Sequence, residues 1–112
     1  MDTNNLSACE AVIMKTIWDA DGDISVPDLI EALKKYDKDY ARTTVVTFLT
    51  KLTAKGFVKT YRKGKLSYVV ATKSEEDYKD LILDNMIDFW YGGNVSLLLE
   101  KINSRYKEVN NE

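Results

Sequence analysis

Between Tyr40 and Gly56 the sequence reads YARTTVVTFLTKLTAKG, and its polar residues are of an unusual kind. At a period of 3.6, Val45, Phe48, Leu49 and Leu52 fall on one face and form an ordinary core stripe. The opposite face carries Thr43, Val46, Thr47, Thr50 and Ala54, with Lys51 and Lys55 flanking its end. A solvated helix face usually mixes Glu with Lys, whereas this one offers hydroxyls, methyls and a few cations and is nearly free of acids. Such groups suit close contact with a polyanion. Arg42 has the geometry for bidentate bonding to guanine. Thr43, Thr44 and Thr47 could donate or accept at base edges, and the methyls of Val46 and Thr47 could touch thymine. Thr50 and Lys51 complete the candidate nucleic-acid-facing set. The competing reading, a merely solvated helix, sits poorly with five threonines, which are mediocre helix formers.

Charge supports the same side of the molecule. The 112-residue chain has a net charge of −2, which alone argues against nucleic acid. Its distribution argues the other way. From Lys34 to Lys65 there are ten bases against two acids, a net +8, while the rest has six bases against sixteen acids, a net −10. This asymmetry is the usual footprint of a DNA-facing side on an acidic protein, although a solvated basic face would produce it too.

The flanking elements explain how these residues would be held. Ser7-Ala8-Cys9-Glu10 is a capping box, and a first helix should run to about Ala20 with Cys9, Ile13, Ile17 and Ala20 on one side. Val12, Met14 and Trp18 widen that face, and Asp21-Gly22-Asp23 ends it, with Gly22 able to take φ > 0. Ile24-Ser25 reads as a very short strand, and Ser25 caps a second helix with the apolar face Leu29, Ile30 and Leu33, ending near Tyr36. After a short turn comes the threonine-rich helix. Two helices so spaced have the sequence form of a helix-turn-helix. Gly56 closes the third helix. Residues 57–62 and 66–71 then read as a β-hairpin joined by Lys63-Gly64-Lys65, which gives a basic tip of Arg62, Lys63 and Lys65 within reach of phosphates or a minor groove. Tyr40 suits a core position and a phosphate donor equally.

Ser74-Glu75-Glu76-Asp77 starts a fourth helix running to about Tyr91. Tyr78, Ile82, Met86, Phe89 and Trp90 form one apolar stripe, and Leu83, Ile87 and Tyr91 a second. Two stripes imply a second surface to cover, and a partner subunit covers it most simply. Gly92-Gly93 breaks the helix, and Asn94 caps a fifth carrying Val95, Leu98, Leu99, Ile102 and Tyr106. The expected dimerisation residues are Leu83, Met86, Ile87, Phe89, Trp90, Leu98 and Ile102, and Val109–Glu112 are expected to fray. The fold class is mainly α with a small β-hairpin: a winged helix-turn-helix domain over residues 1–73, then a helical dimerisation region over 74–112.

Three segments carry a family resemblance. Ser7-x-x-Glu10 followed by Ile13-Met14 and Ile17-Trp18 resembles the opening of the BlaI/MecI/CopY family of bacterial repressors. Thr44-Val45-x-Thr47-x-Leu49-x-Lys51-Leu52-x-x-Lys55-Gly56-Phe57-Val58 is similar to its recognition helix and the turn into its wing. Tyr91-Gly92-Gly93-x-x-Ser96-Leu97 resembles the junction before its last helix. The resemblance implies a homodimeric transcriptional repressor that binds double-stranded DNA at a palindromic operator and is released by a regulatory protease or an inducer. The chain departs from the family at informative places. It has no cysteine beyond Cys9 and no histidine, so the copper branch's thiolate cluster has no counterpart and no metal or other cofactor is expected. Leu99-Glu100-Lys101 stands where the β-lactam branch has its cleaved Asn-Phe bond. Thr43 and Val46 stand where the family usually has lysine and often has arginine, so an operator unlike the standard one is expected.

Other classes fit less well. Without histidine, and with one cysteine expected to be a buried structural thiol, catalytic triads and His-based metal sites are out of reach, so an enzyme is not expected. No apolar run is long enough to span a membrane, and the start MDTNNLSACE lacks signal-peptide features. A lone cysteine suits a reducing cytoplasm. The competing function is a winged-helix protein-interaction module that never touches DNA. It would call for a more apolar helix face and a less basic wing.

Overall fold

The computed structural model describes residues 5–107, so the expected fraying of Val109–Glu112 lies outside the described residues. The chain divides into two compact units, one ending at Glu75 and the other starting at Glu76. The first holds α1 (Ala8–Asp19), β1 (Ile24–Ser25), α2 (Val26–Leu33), a 3-10 turn (Lys34–Tyr36), α3 (Arg42–Ala54), β2 (Val58–Lys63) and β3 (Leu66–Ala71). The three strands form an antiparallel sheet in the order β1-β3-β2, with Ile24 opposite Val69 and Lys63 opposite Leu66. This is a helix-turn-helix followed by a β-hairpin wing, the architecture the sequence predicts.

The elements begin and end for local reasons. The Ser7 hydroxyl accepts from the Glu10 amide at 3.2 Å and Glu10 Oε1 accepts from the Ser7 amide at 2.9 Å, which completes the capping box of α1. At its other end Asp21, with φ 55°, takes the left-handed position in advance of Gly22. Asp tolerates that conformation better than most residues. Ser25 caps α2 through the Asp28 amide. Gly56, at φ 83°, closes α3. The wing turn is tighter than expected: pairing continues through Lys63 and Leu66, leaving only Gly64 and Lys65 in the loop. Gly64 has φ 64° in the first loop position and Lys65 does not share a positive φ, the sign pattern of a type II′ turn.

One core joins these elements. Ile13, Met14 and Ile17 of α1, Val26, Leu29 and Leu33 of α2, Val45, Leu49 and Leu52 of α3, and Phe57, Val58 and Val69 of the sheet are buried. The buried face of α1 differs from the expected one, since Ala20 is exposed, Cys9 is only half-buried, and Glu10 and Thr16 are buried. Thr16 donates to the Val12 carbonyl at 2.8 Å. Glu10, 3% exposed, accepts from the Lys55 ammonium at 2.7 Å, which ties the C-terminal end of α3 to the start of α1. Burial pushes the Glu10 pKa up. The Lys55 ammonium and the Ser7 amide outweigh it, and the net shift is downward.

The second unit holds α4 (Glu75–Tyr91), which begins at the boundary, and α5 (Val95–Arg105). No residue of either helix is buried. Phe89 and Trp90 are 69% and 73% exposed, with their rings edge to face at 4.8 Å. Ile82, Leu83, Val95, Leu97, Leu99 and Ile102 are also exposed, while Met86, Ile87 and Leu98 are half-buried. The Asn94 side chain accepts from the Leu97 amide to cap α5. Among the described residues no helix is long and apolar enough to cross a membrane.

The Glu10–Lys55 pair has a pH signature. Because the folded pKa is lowered, its contribution is present above the ordinary carboxylate value and is lost as pH falls through the folded value. Lys55→Met should cost about 2 kcal/mol at pH 7, below the fully buried range because Lys55 is partly exposed. In urea unfolding the gap from wild type should narrow at acid pH, as Glu10 takes up its proton. An equal gap at both pH values would show that the lost lysine acts through packing alone.

Candidate nucleic-acid interface

The helix α3 has two chemically distinct sides. Val45, Leu49 and Leu52 are buried, and α3 packs on α2 and β2. Arg42, Thr43, Val46, Thr47, Thr50 and Lys51 are exposed, and Thr44 is half-buried. The expected residues thus lie along one accessible strip, with Thr44 at its margin. Val46, at 42%, is the large apolar side chain it exposes.

The threonine hydroxyls on this strip are not equivalent. Thr47 donates to the Thr43 carbonyl at 2.9 Å and Thr50 to the Val46 carbonyl at 3.0 Å. Thr53 donates in the same way to Leu49 at 2.7 Å. These are the i−4 back-bonds that helical threonines favour. Of the donating and accepting roles expected of Thr47 at base edges, this back-bond occupies the hydroxyl proton and leaves the acceptor lone pairs and the methyl. Tyr40 is half-buried and tilts against Phe48 at 5.7 Å. The neighbouring Cys9 thiol, and after it burial, push the Tyr40 pKa up.

A cleft of about 330 Å³ separates α3 from the wing. Arg42, Val46, Thr50 and Thr53 line one wall, Thr60, Tyr61 and Arg62 the other, with Leu49 and Val26 between. Two guanidinium groups on its opposite walls make it suited to an anionic strand. Thr53, Thr60 and Tyr61 were outside the set expected from sequence. Their signal was present in the alternation of β2, which puts Thr60 and Arg62 on one face of the strand, but the approach of that face to α3 is a tertiary fact.

The wing is braced from below. Tyr61 stacks on Tyr68 across the ladder at 5.5 Å, and its hydroxyl donates to Asp23 in the loop between α1 and β1. That hydrogen bond, followed by desolvation, pushes the Tyr61 pKa up. Arg62 donates to the Lys65 carbonyl at 3.4 Å, which folds it back over the turn. Lys63 and Lys65 are exposed at the tip. Among the described residues Arg42, Lys51, Lys59, Arg62, Lys63 and Lys65 form no ion pair, so the positive charge here is uncompensated. Two bases counted in the same basic stretch behave differently: Lys55 is bound to Glu10 and Lys34 to Glu31. No group of His, Cys, Asp and Glu residues among the described residues could hold a metal ion.

The family profile described as Penicillinase repressor matches residues 6–111. The penicillinase repressor of Staphylococcus aureus is 24% identical over 107 residues, which covers 96% of this chain and 82% of that protein. An uncharacterised 16.5 kDa protein of Latilactobacillus sakei is 31% identical over 74 residues, 66% of this chain, and the match spans about half (49%) of that protein's length. Among solved structures, the DNA-binding domain of the repressor BlaI is similar with a TM-score of 0.58 and 26% identity, covering 69% of this chain and 92% of that domain. Reduced HlyU from Vibrio cholerae shares the fold, with a TM-score of 0.52 at 16% identity over 71% of this chain and 77% of that one.

The Tyr61–Asp23 bond yields a prediction about the wing. A folded pKa above the ordinary phenol value means that the anchoring is fully present below the ordinary value and is lost as pH rises through the higher, folded one. Tyr61→Phe keeps the stack on Tyr68 and removes only the hydroxyl. Amide exchange should quicken in β2 and β3 while α1 and α2 keep their protection. Unchanged exchange in the hairpin would show that the stack alone holds the wing.

Proposed function

This chain belongs to the penicillinase repressor family, and we propose that it is a sequence-specific DNA-binding transcriptional repressor acting as a homodimer on a palindromic operator. The observation that carries the proposal is the acid-free outer strip of α3, continued across the cleft by the basic wing and, among the described residues, free of ion pairs. The helix enters the major groove, and the wing and cleft hold the adjacent phosphates. Arg42, Thr43, Thr44, Val46, Thr47 and Thr50 face the bases. Lys51, Arg62, Lys63 and Lys65 supply affinity by releasing counterions, which carries no sequence information.

Dimerisation follows from the reach of a single helix. Thirteen residues of α3 span about 20 Å and contact only a few base pairs. Two copies related by a two-fold axis would occupy successive major grooves about 34–36 Å apart. The pairing surface is the exposed apolar face of α4 and α5, with Leu83, Met86, Ile87, Phe89, Trp90, Leu98 and Ile102 as its residues. It is supported by Phe89 and Trp90 being the most exposed large apolar side chains described. An isolated subunit that left them in water would be prone to associate.

Two measurements separate the contributions. In fluorescence anisotropy titrations, Lys63→Ala and Lys65→Ala should each lower the slope of log K against log salt by about 1 and weaken all sequences alike. Phe89→Asp should sediment as a monomer with unchanged helix content and lose most operator affinity. A Phe89→Asp protein that remained a tight dimer would move the interface elsewhere. Salt-independent binding would remove the phosphate role of the wing, and a protein partner would then be the better reading of this face.

A further inference from the structure

The recognition strip has a direction in its hydrogen-bonding chemistry. At the start of α3 the Arg42 guanidinium is exposed, and among the described residues the Thr43 hydroxyl has no hydrogen-bond partner. Both are free to donate. One turn later the situation reverses. A hydroxyl has a single proton, and those of Thr47 and Thr50 sit on the carbonyls of Thr43 and Val46 at 2.9 and 3.0 Å. These side chains have left only a methyl group and acceptor lone pairs. Val46, exposed between them, adds two more methyls and no polar atom. From Val46 to Thr50 the strip therefore offers no side-chain donor.

The four base pairs respond differently to such a surface. Guanine presents two acceptors, N7 and O6, in the major groove, whereas thymine presents a methyl beside O4, and adenine and cytosine present amino donors. Against the middle of this strip guanine would set acceptor against acceptor. Thymine would set methyl against methyl, and an amino group would find a hydroxyl lone pair. Resting on the DNA-binding reading above, we propose that α3 reads its half-site by a split code. Arg42 and Thr43 take an acceptor-rich edge such as guanine, while Val46, Thr47 and Thr50 select thymine by methyl contact. Their hydroxyls do not serve as donors to the bases.

The test uses the full chain and DNA selected from a random duplex pool at moderate salt. Each thymine of the selected half-site is replaced in turn by deoxyuridine, which removes the methyl and leaves every hydrogen bond in place. Substitution at the contacted thymines should weaken binding about fourfold per methyl. Thr47→Val and Thr50→Val keep the methyl and lose the hydroxyl, so they should bind within about twofold of wild type with the same selected sequence, whereas Thr47→Ser should lose about fourfold. Both positions are exposed, and thermal melting checks that the variants fold. A selected sequence that is indifferent to deoxyuridine, with the valine variants about tenfold weaker, would overturn the split code and leave the DNA-binding reading standing. Failure of the wild-type chain to enrich any sequence would overturn both.

Discussion

The structure depends on α3 being held firmly on one side and left bare on the other. Val45, Leu49 and Leu52 are sunk into the core shared with α2 and the sheet, and Lys55 is tied to the buried Glu10 of α1. Packing fixes the rotation of the helix about its axis, and the ion pair fixes its far end. With both set, the outer residues have one disposition available, and it is the disposition a groove-reading helix needs. The arrangement also explains the lack of acids on the strip. A carboxylate there would pair with Arg42 or Lys51 and cancel the field that draws a polyanion in.

The wing follows from the same constraint. β2 packs on α3, so the basic hairpin stands across a cleft from the threonine strip. Tyr61, through Tyr68 and Asp23, fixes how the hairpin rises from the sheet. The overall charge of −2 conceals this face, because the compensating acids lie elsewhere in the sequence. On the proposed DNA-binding reading, affinity and specificity would divide along the chain: cations of the wing and helix flank would supply the first, and the helix strip the second.

Much of this was legible in the residues. Ser7 with Glu10, Ser25 with Asp28, and Asn94 with Leu97 are caps whose partners lie three positions away, within reach of local reading. The change of period after Gly56 announced the hairpin. What escaped was non-local. Lys55 meets Glu10 across 45 positions and Tyr61 meets Asp23 across 38, and no spacing rule connects them. After α1, Gly22 takes a positive φ of 145° as its type allows, and Asp21 ahead of it takes one of 55° as well, which composition does not decide. The threonine back-bonds are of a different kind. Thr43 and Thr47 are four apart, and a helical threonine habitually donates to the carbonyl four residues back, so this bond follows from a local rule.

On the proposed reading, α3 and the wing recognise a specific, two-fold symmetric DNA site. The most direct measurement is capture of genomic fragments by the intact chain at moderate salt with excess nonspecific competitor, followed by hydroxyl-radical footprinting of the fragments retained. The expected result is a small set of fragments, each protected over two inverted half-sites with centres about one helical turn apart. Retention of no fragment above the competitor background, or protection without two-fold symmetry, would contradict it.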